Sequence, residues 1–412
     1  MVPIVILAIV FLLIAVRQIG SLKLQIWQVM LLGAGAVLLS GRITPAAALK
    51  AVNLDVMLFL FGMFVIGQAL EESGYLAHLS HRLFQRARTA DHLILYILFG
   101  AGFASALLMN DTLAIIGTPI VLILAKKHRL PPKLLLHALA FAVTIGSVIS
   151  PIGNPQNLLI AINGNLANPF PTFLEYLLVP TLVNLVLAYL LLRFYYRESF
   201  QRAALAHLPE PIQNPKLARL SIISLILIVI LILLKIAAVV WGWKGNFRLT
   251  YIALISALPI LLGSPARFTL VKRIDWSTLI FFAAMFVLME SVWQSGFFQA
   301  VIARLHLNIT SIVMILIVSV VLSQFISNVP LVALYLPMLL QAGASTREMV
   351  DLAAGSTIAG NLFILGAASN VIIIQNAENK SEETLTFLEF AKVGIPLTIL
   401  NLAVYWLFLA AQ

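Results

Sequence analysis

From end to end the chain alternates long apolar runs with short polar connections. Crossing a hydrocarbon core of about 30 Å takes roughly 20 apolar residues, fewer where interfacial side chains flank them. Ten runs read as spans: Pro3–Val16, Gln25–Leu39, Asp55–Leu70, Pro132–Ile162, Phe173–Tyr195, Leu217–Trp241, Thr250–Leu262, Trp276–Trp293, Val350–Gln375 and Phe387–Ala410. Two further stretches, His92–Ala125 and Ile309–Leu340, hold 34 and 32 residues, and polar residues interrupt the middle of each. Each is too long for one crossing. The pattern predicts re-entrant hairpins there, two half-membrane helices joined by a tip.

The longest polar connection, Arg197–Arg219 with Pro209, Pro211 and Pro215, divides the chain nearly in half. The halves repeat. Met63, Phe64, Val65, Ser73, Gly74, Arg82 and Leu83 match Met285, Phe286, Val287, Ser295, Gly296, Arg304 and Leu305 at one constant offset. Further on, Ser105, Asn110 and Pro119 match Ser323, Asn328 and Pro337, and Gly146, Gly153 and Asn157 match Gly360, Gly366 and Asn370 with one residue slipped between. Rare residue types recurring in one order argue against chance similarity of apolar sequence. The expected organisation is a first repeat over 1–196 (hairpin 92–125, broken helix 132–162), a cytoplasmic linker over 197–216, and a second repeat over 217–412 (hairpin 309–340, broken helix 350–375). Each repeat makes five crossings, one of them broken, plus a hairpin. Five is odd, so the second repeat is inverted, giving an all-α polytopic membrane protein with both termini outside.

Charge fixes the orientation. Of the 26 Lys and Arg residues, 18 fall in connections placed inside by this topology and two, Lys235 and Lys392, fall within spans. The outside holds only six: Arg42, Lys50, Lys244, Arg248, Arg304 and Arg347. The opposite topology would violate the positive-inside rule. The formal charge of +10 therefore reports topology and not nucleic-acid recognition, because the basic residues sit in short groups between apolar runs.

Composition narrows the class further. The chain is 61% hydrophobic and 10% charged, against roughly 45–50% and about 25% in soluble domains. Met1–Val16 lacks a basic leader region and a small-residue cleavage site, so this first apolar run is expected to stay in the mature protein. With no cysteine there is no disulfide, thiol nucleophile or cysteine metal site. Neither HExxH, a Walker loop, GxSxG nor GxGxxG occurs in a fitting context, so an enzyme is not expected. No cofactor is expected either.

The chemistry is expected at four breaks. Two are the hairpin tips, Met109-Asn110-Asp111-Thr112 and Ser327-Asn328-Val329-Pro330; two lie inside spans, Ser150–Asn157 and Gly366–Asn370. Non-helical backbone at membrane depth must be buried in protein or line water, and inverted-repeat transporters place ligands at such breaks near the midplane. Candidate substrate ligands are Asn110, Thr112, Ser150, Gly153, Asn154, Gln156, Asn157, Ser327, Asn328, Gly366, Ser369 and Asn370. Pro151, Gly153 and Pro155 cannot share one regular helix, which makes Ser150–Asn157 the most specific local signal. The competing reading is that Asn, Ser and Asp merely cap helices.

Charge at membrane depth is costly and usually functional. Asp111 lies at the first tip, opposite Val329 in the repeat, and is the first candidate for ion coupling; a cap or salt-bridge role is the alternative. Glu290, matching Gln68, is the second candidate, balanced against a role as an interface anchor. Lys235 reads as snorkelling from its span, and His78 and His81 as surface residues.

The segments "NDTLAIIGTP" (Asn110–Pro119), "SPIGNPQNLLI" (Ser150–Ile160), "SNVPLVALYLP" (Ser327–Pro337) and "AGNLFILGAASN" (Ala359–Asn370) resemble the ion transporter superfamily, above all its arsenite/antimonite efflux permeases (ArsB-type) and related bacterial anion permeases. The resemblance runs through the whole chain in order. It implies an elevator-type secondary transporter of the bacterial or archaeal inner membrane, commonly a homodimer. A cytoplasmic ATPase subunit is a further candidate partner. The tip reads Asn110-Asp111-Thr112 where dicarboxylate carriers have Ser-Asn-Thr, so a dicarboxylate and two complete sodium sites do not follow from it. The leading expectation is proton-coupled efflux of arsenite or antimonite, neutral trihydroxides that need only hydroxyl, amide and carbonyl partners. The alternatives are a cation-coupled permease, driven by sodium or protons, for an inorganic or carboxylate anion, and a non-transporting membrane scaffold or sensor.

Overall fold

The computed structural model describes residues 2–411 apart from 17, 20–21, 24, 76–77, 79–86, 88, 201–211, 242–247, 298–299, 301–307 and 381–384. Residues 201–211 of the polar connection between the halves therefore lie outside the described residues, as do the repeat pairs Arg82/Arg304 and Leu83/Leu305. Helices dominate, and one small ladder pairs Gln18–Ile19 with Leu22–Lys23.

Element order repeats twice. The first half runs Val2–Val16, Ile26–Leu39, Leu54–Ser73, a hairpin of Ala90–Leu108 and Asn110–His128, a broken helix of Pro132–Ser147 and Pro155–Asn163, and Pro169–Tyr195. The second runs Pro215–Val240, Leu249–Gly263, Trp276–Gln294, a hairpin of Ile312–Ile326 and Asn328–Gln341, a broken helix of Thr346–Ile358 and Ala368–Lys380, and Phe387–Ala410. Among the described residues, six helices are long and apolar enough to cross a membrane. The chain is a multi-pass membrane protein.

Local chemistry explains where these helices start. Asn53 and Asp275 occupy matching positions before Leu54 and Trp276, and their side chains accept from the amides of Val56 and Thr278 at 3.1 and 3.0 Å. Ser345 with Glu348, and Thr386 with Glu389, form capping boxes.

The second break differs in position from the one read in the sequence. Its first arm stops at Ile358, short 3₁₀ turns occupy Ala359–Asn361 and Ile364–Gly366, and helix resumes at Ala368. Ser369 and Asn370 therefore sit in the first turn of the second arm, and the opening begins seven residues earlier than Gly366. Gly394, on the helix Phe387–Ala410, lies so close to the carbonyls of Asn361 and Leu362 that no side chain fits there, so glycine lets the opened backbone pack against that helix.

The helices form two bodies. In one, Leu54–Ser73 packs along Leu249–Gly263 and Pro215–Val240, while Ile26–Leu39 packs along Trp276–Gln294 and Val2–Val16. A Cβ on Gly62 would lie 2.8 Å from the Ala253 carbonyl carbon, so glycine sets that approach. The other body holds both hairpins, both broken helices and the paired helices Pro169–Tyr195 and Phe387–Ala410. There Gly102 and Gly146 bring the first hairpin and first broken helix into backbone contact. One polar ladder crosses this body: Asn361 Nδ2 donates to Asn401 Oδ1 and Asn401 Nδ2 to Asn184 Oδ1, each at 2.9 Å. Between the bodies the described contacts are fewer. They include Thr112 against Gly67, and Asn53 Nδ2 donating to Asn163 Oδ1 at 3.2 Å.

Candidate functional site

Both tips turn on a residue with positive φ: Met109 at φ 68, ψ 142 and Ser327 at φ 67, ψ 161. That region is essentially reserved for glycine, and holding another residue there costs about 1–3 kcal/mol. The kink lets a new helix begin at once with Asn110 and Asn328, so each returning arm opens its N-terminus toward the other breaks. Replacing Ser327 by Gly is expected to raise the thermal unfolding temperature in detergent, by relief of about 1 kcal/mol of strain.

Hydrogen bonds draw the breaks together. The Asn110 amide donates to the Gly153 carbonyl at 2.8 Å, and Asn110 Nδ2 lies 3.5 Å from Ser369 Oγ. The first tip thus touches both broken helices. Asn154 Nδ2 donates to Ser147 Oγ at 3.0 Å and to Thr357 Oγ1 at 3.2 Å, and Thr357 Oγ1 donates to Asn157 Oδ1 at 3.2 Å. Gln156 Nε2 reaches the same Thr357 hydroxyl at 3.4 Å. From the second hairpin, Gln324 Nε2 donates to the Ala359 carbonyl at 2.9 Å, and the arm Asn328–Gln341 packs on Pro155–Asn163.

The sequence candidates divide into braces and open groups. Asn157 Nδ2 lies 3.2, 3.4 and 3.1 Å from the carbonyls of Ser147, Val148 and Ser150, and the Ser147 and Ser150 carbonyls also accept from the backbone amides of Ser150 and Gly153 at 3.4 and 3.2 Å. Asn154 Oδ1 caps the second arm through the Asn157 amide at 2.8 Å. Ser150 Oγ accepts from the Ile152 amide at 3.2 Å, and Gly153 lies too close to Ser147 for any side chain. Asn370 Nδ2 donates to the Gly360 carbonyl at 2.5 Å, which leaves its Oδ1 buried and unpartnered. Asn328 Oδ1, Thr144 Oγ1 and Gln324 Oε1 are likewise buried without partners.

Asp111 is buried in the first turn of its arm, next to Thr112, and its amide donates to Asn110 Oδ1 at 2.9 Å. Ser327 is half-buried at the second tip, and Gly366 is buried, with a Cβ there lying 2.7 Å from Gln324 Oε1. Glu290 stands apart on the helix Trp276–Gln294, half-buried, with its Oε1 accepting from Gln294 Nε2 at 2.7 Å. Thr144, Gln324, Thr357 and Asn361 belong to the polar assembly although none is among the sequence candidates: Thr144 and Asn361 are single polar residues in apolar runs, and Gln324 and Thr357 each follow a serine in one.

The arrangement presents amide, hydroxyl and carbonyl groups, four helix N-termini and one carboxyl group. The segments forming the breaks contain no lysine or arginine. Such a site suits a small solute recognised by hydrogen bonds, with positive helix ends available to electron-rich oxygens.

Comparison with known proteins fits this geometry. The chain is 28% identical to the silicon efflux transporter LSI3 of Oryza sativa subsp. japonica, over 91% of this chain and 90% of that one. It is 23% identical to the putative transporter arsB of Dictyostelium discoideum, over 90% of this chain and 84% of the other. The crystal structure of the Alcanivorax borkumensis YdaH transporter superposes with a TM-score of 0.59, covering 99% of this chain and 97% of YdaH at 17% identity, which is a likeness of fold. Residues 8–358 match the citrate transporter family, CitMHS. This chain, a transporter and not an enzyme, belongs to that family within the ion transporter superfamily.

Proposed function

We propose that the chain is an elevator-type secondary transporter that exports arsenite or antimonite in exchange for protons. The observation that carries this reading is the polarity of the breaks: neutral donors and acceptors around a single carboxyl group, Asp111, with no basic side chain. A neutral trihydroxide can satisfy open oxygens such as Asn328 Oδ1 and Asn370 Oδ1 by donating hydroxyl protons to them. The silicon and arsB names of two relatives agree with a hydroxide of a metalloid. The two-body packing supports the elevator part: the breaks lie in one body, and the second body meets it at fewer places. The expected setting is the inner membrane of a bacterium or archaeon, with the second half inverted and the protein dimeric.

The family description favours a second reading, a cation-coupled permease for a carboxylate such as citrate. There the open oxygens would hold a cation, and the helix N-termini would meet the carboxylates. Proteoliposomes loaded in turn with arsenite, antimonite and citrate separate the two. Arsenite or antimonite flux that follows an imposed pH gradient supports the first reading. Citrate flux that follows a sodium gradient, with neither metalloid moving, replaces it with the second.

A further inference from the structure

A second carboxyl group lies buried where neither the breaks nor the repeat motifs point. Asp351, in the arm Thr346–Ile358, is 1% exposed, and its Oδ1 has no hydrogen-bond partner. Six residues separate it from the exposed cap Ser345 and seven from the end of the arm at Ile358. At about 1.5 Å per residue, it stands roughly 9–10 Å from each. Asp351 is thus midway between water and the second break.

The charged neighbours on its own helix are Arg347 and Glu348. Arg347 spends Nη2 on the Leu409 carbonyl at 2.6 Å, and Glu348 spends Oε2 on the Ser345 cap. Of the elements packed on this arm, Ile312–Ile326 and Pro155–Asn163 carry no titratable residue, and Asn328–Gln341 carries Tyr335, whose hydroxyl donates to the Ile309 carbonyl at 2.8 Å. Pro169–Tyr195 carries Glu175, Tyr176, Tyr189, Arg193 and Tyr195. Phe387–Ala410 carries Glu389, Lys392 and Tyr405, the last bonded to Thr181. Pro132–Ser147 carries Lys133 and His137.

In the register that pairs Gly146 with Gly360, Asp351 corresponds to His137. His137 is fully buried too, and its Nε2 likewise lacks a hydrogen-bond partner, but the rest of its ring is committed. Its Nδ1 meets the Lys133 carbonyl at 2.8 Å and the Tyr196 hydroxyl at 3.1 Å, and its ring stacks on Phe390, beside the Lys133–Glu389 ion pair of 2.6 Å. Asp351 has no comparable set of partners, and a carboxyl group with an open oxygen in an apolar wall is costly to keep for structure alone.

We propose that Asp351 is a second proton-exchanging carboxyl group of the transport cycle, which takes up its proton from water at the Ser345 end of the broken helix. This rests on the proton-coupled reading above. The experiment uses purified full-length chain in proteoliposomes loaded with arsenite, with a pH gradient imposed. Asp351→Asn is expected to lower gradient-driven arsenite flux at least tenfold and to leave the arsenite concentration that half-saturates a thermal shift within about twofold. Asp351→Glu is expected to stay within about threefold of wild-type flux. Wild-type flux and pH response in Asp351→Asn would overturn the assignment while leaving proton coupling intact. Wild-type protein that ignores the gradient would sink both. If Asp351→Asn does not assemble, treatment of the wild-type chain with dicyclohexylcarbodiimide decides. Modification of Asp351 that rises as pH falls supports the role, and pH-independent or absent modification overturns it.

Discussion

Asp111→Asn is expected to abolish arsenite flux driven by a pH gradient and to leave arsenite binding within about threefold of wild type. Asp111 occupies the first turn of the arm Asn110–His128 and is 7% exposed. Its counterpart at the other tip, Val329, cannot titrate, so the two tips share their backbone geometry while only the first carries a titratable group. Asparagine keeps the shape and one accepting oxygen but cannot exchange a proton. Flux in proteoliposomes and a thermal shift with arsenite read the two functions separately. A mutant that follows the gradient as wild type does places the proton route elsewhere, with Glu290 the next residue to test. A wild-type protein that needs sodium instead makes Asp111 a cation ligand.

Asn157→Ala is the second large effect, and its cause is different. The Asn157 amide serves carbonyls of Ser147, Val148 and Ser150 and receives the Thr357 hydroxyl. Alanine removes the side-chain donor from three buried carbonyls, of which Ser147 and Ser150 keep the backbone amides of Ser150 and Gly153, and it removes the acceptor of the Thr357 hydroxyl, at about 1–3 kcal/mol for each group that finds no replacement. The expected loss is about 2–4 kcal/mol of stability, seen as a thermal unfolding temperature several degrees lower, with flux down at least tenfold. Asn328→Ala is the contrast. Asn328 Oδ1 has no partner in the protein, so truncation removes a potential substrate contact without orphaning that acceptor's donor. Its flux should fall as far while its unfolding temperature stays near wild type. Equal destabilisation of the two variants would erase the distinction between brace and ligand.

That distinction was not legible in the sequence. Proline, glycine and asparagine announced where the helices break, because those residues act on the local backbone, and both tips fall where Asn110 and Asn328 pointed. Asn157 spends its Nδ2 on carbonyls 7–10 positions back, while its Oδ1 is met by the hydroxyl of Thr357, 200 positions on. The early opening at Ala359–Asn361 likewise meets a distant helix, where glycine at 394 leaves room for the Asn361 and Leu362 carbonyls. Met109 and Ser327 gave no local warning either: neither residue type suggests a positive φ, and the surrounding fold imposes it. Asp351 stood in the sequence as one acid near the start of a span, and only its burial sets it apart.

The ladder Asn361–Asn401–Asn184 joins the last helix of each half, beside a 2.7 Å contact between Thr181 and Tyr405. Corresponding elements meeting face to face make the kind of contact found at the interface of a symmetric dimer, here closed within one chain. Residues so joined do not vary independently: the energetic effect of changing Asn184 depends on what stands at Asn401, 217 positions on. Since Asn361 belongs to the second break, a substitution deep in the first half reaches the geometry of a binding element built entirely by the other.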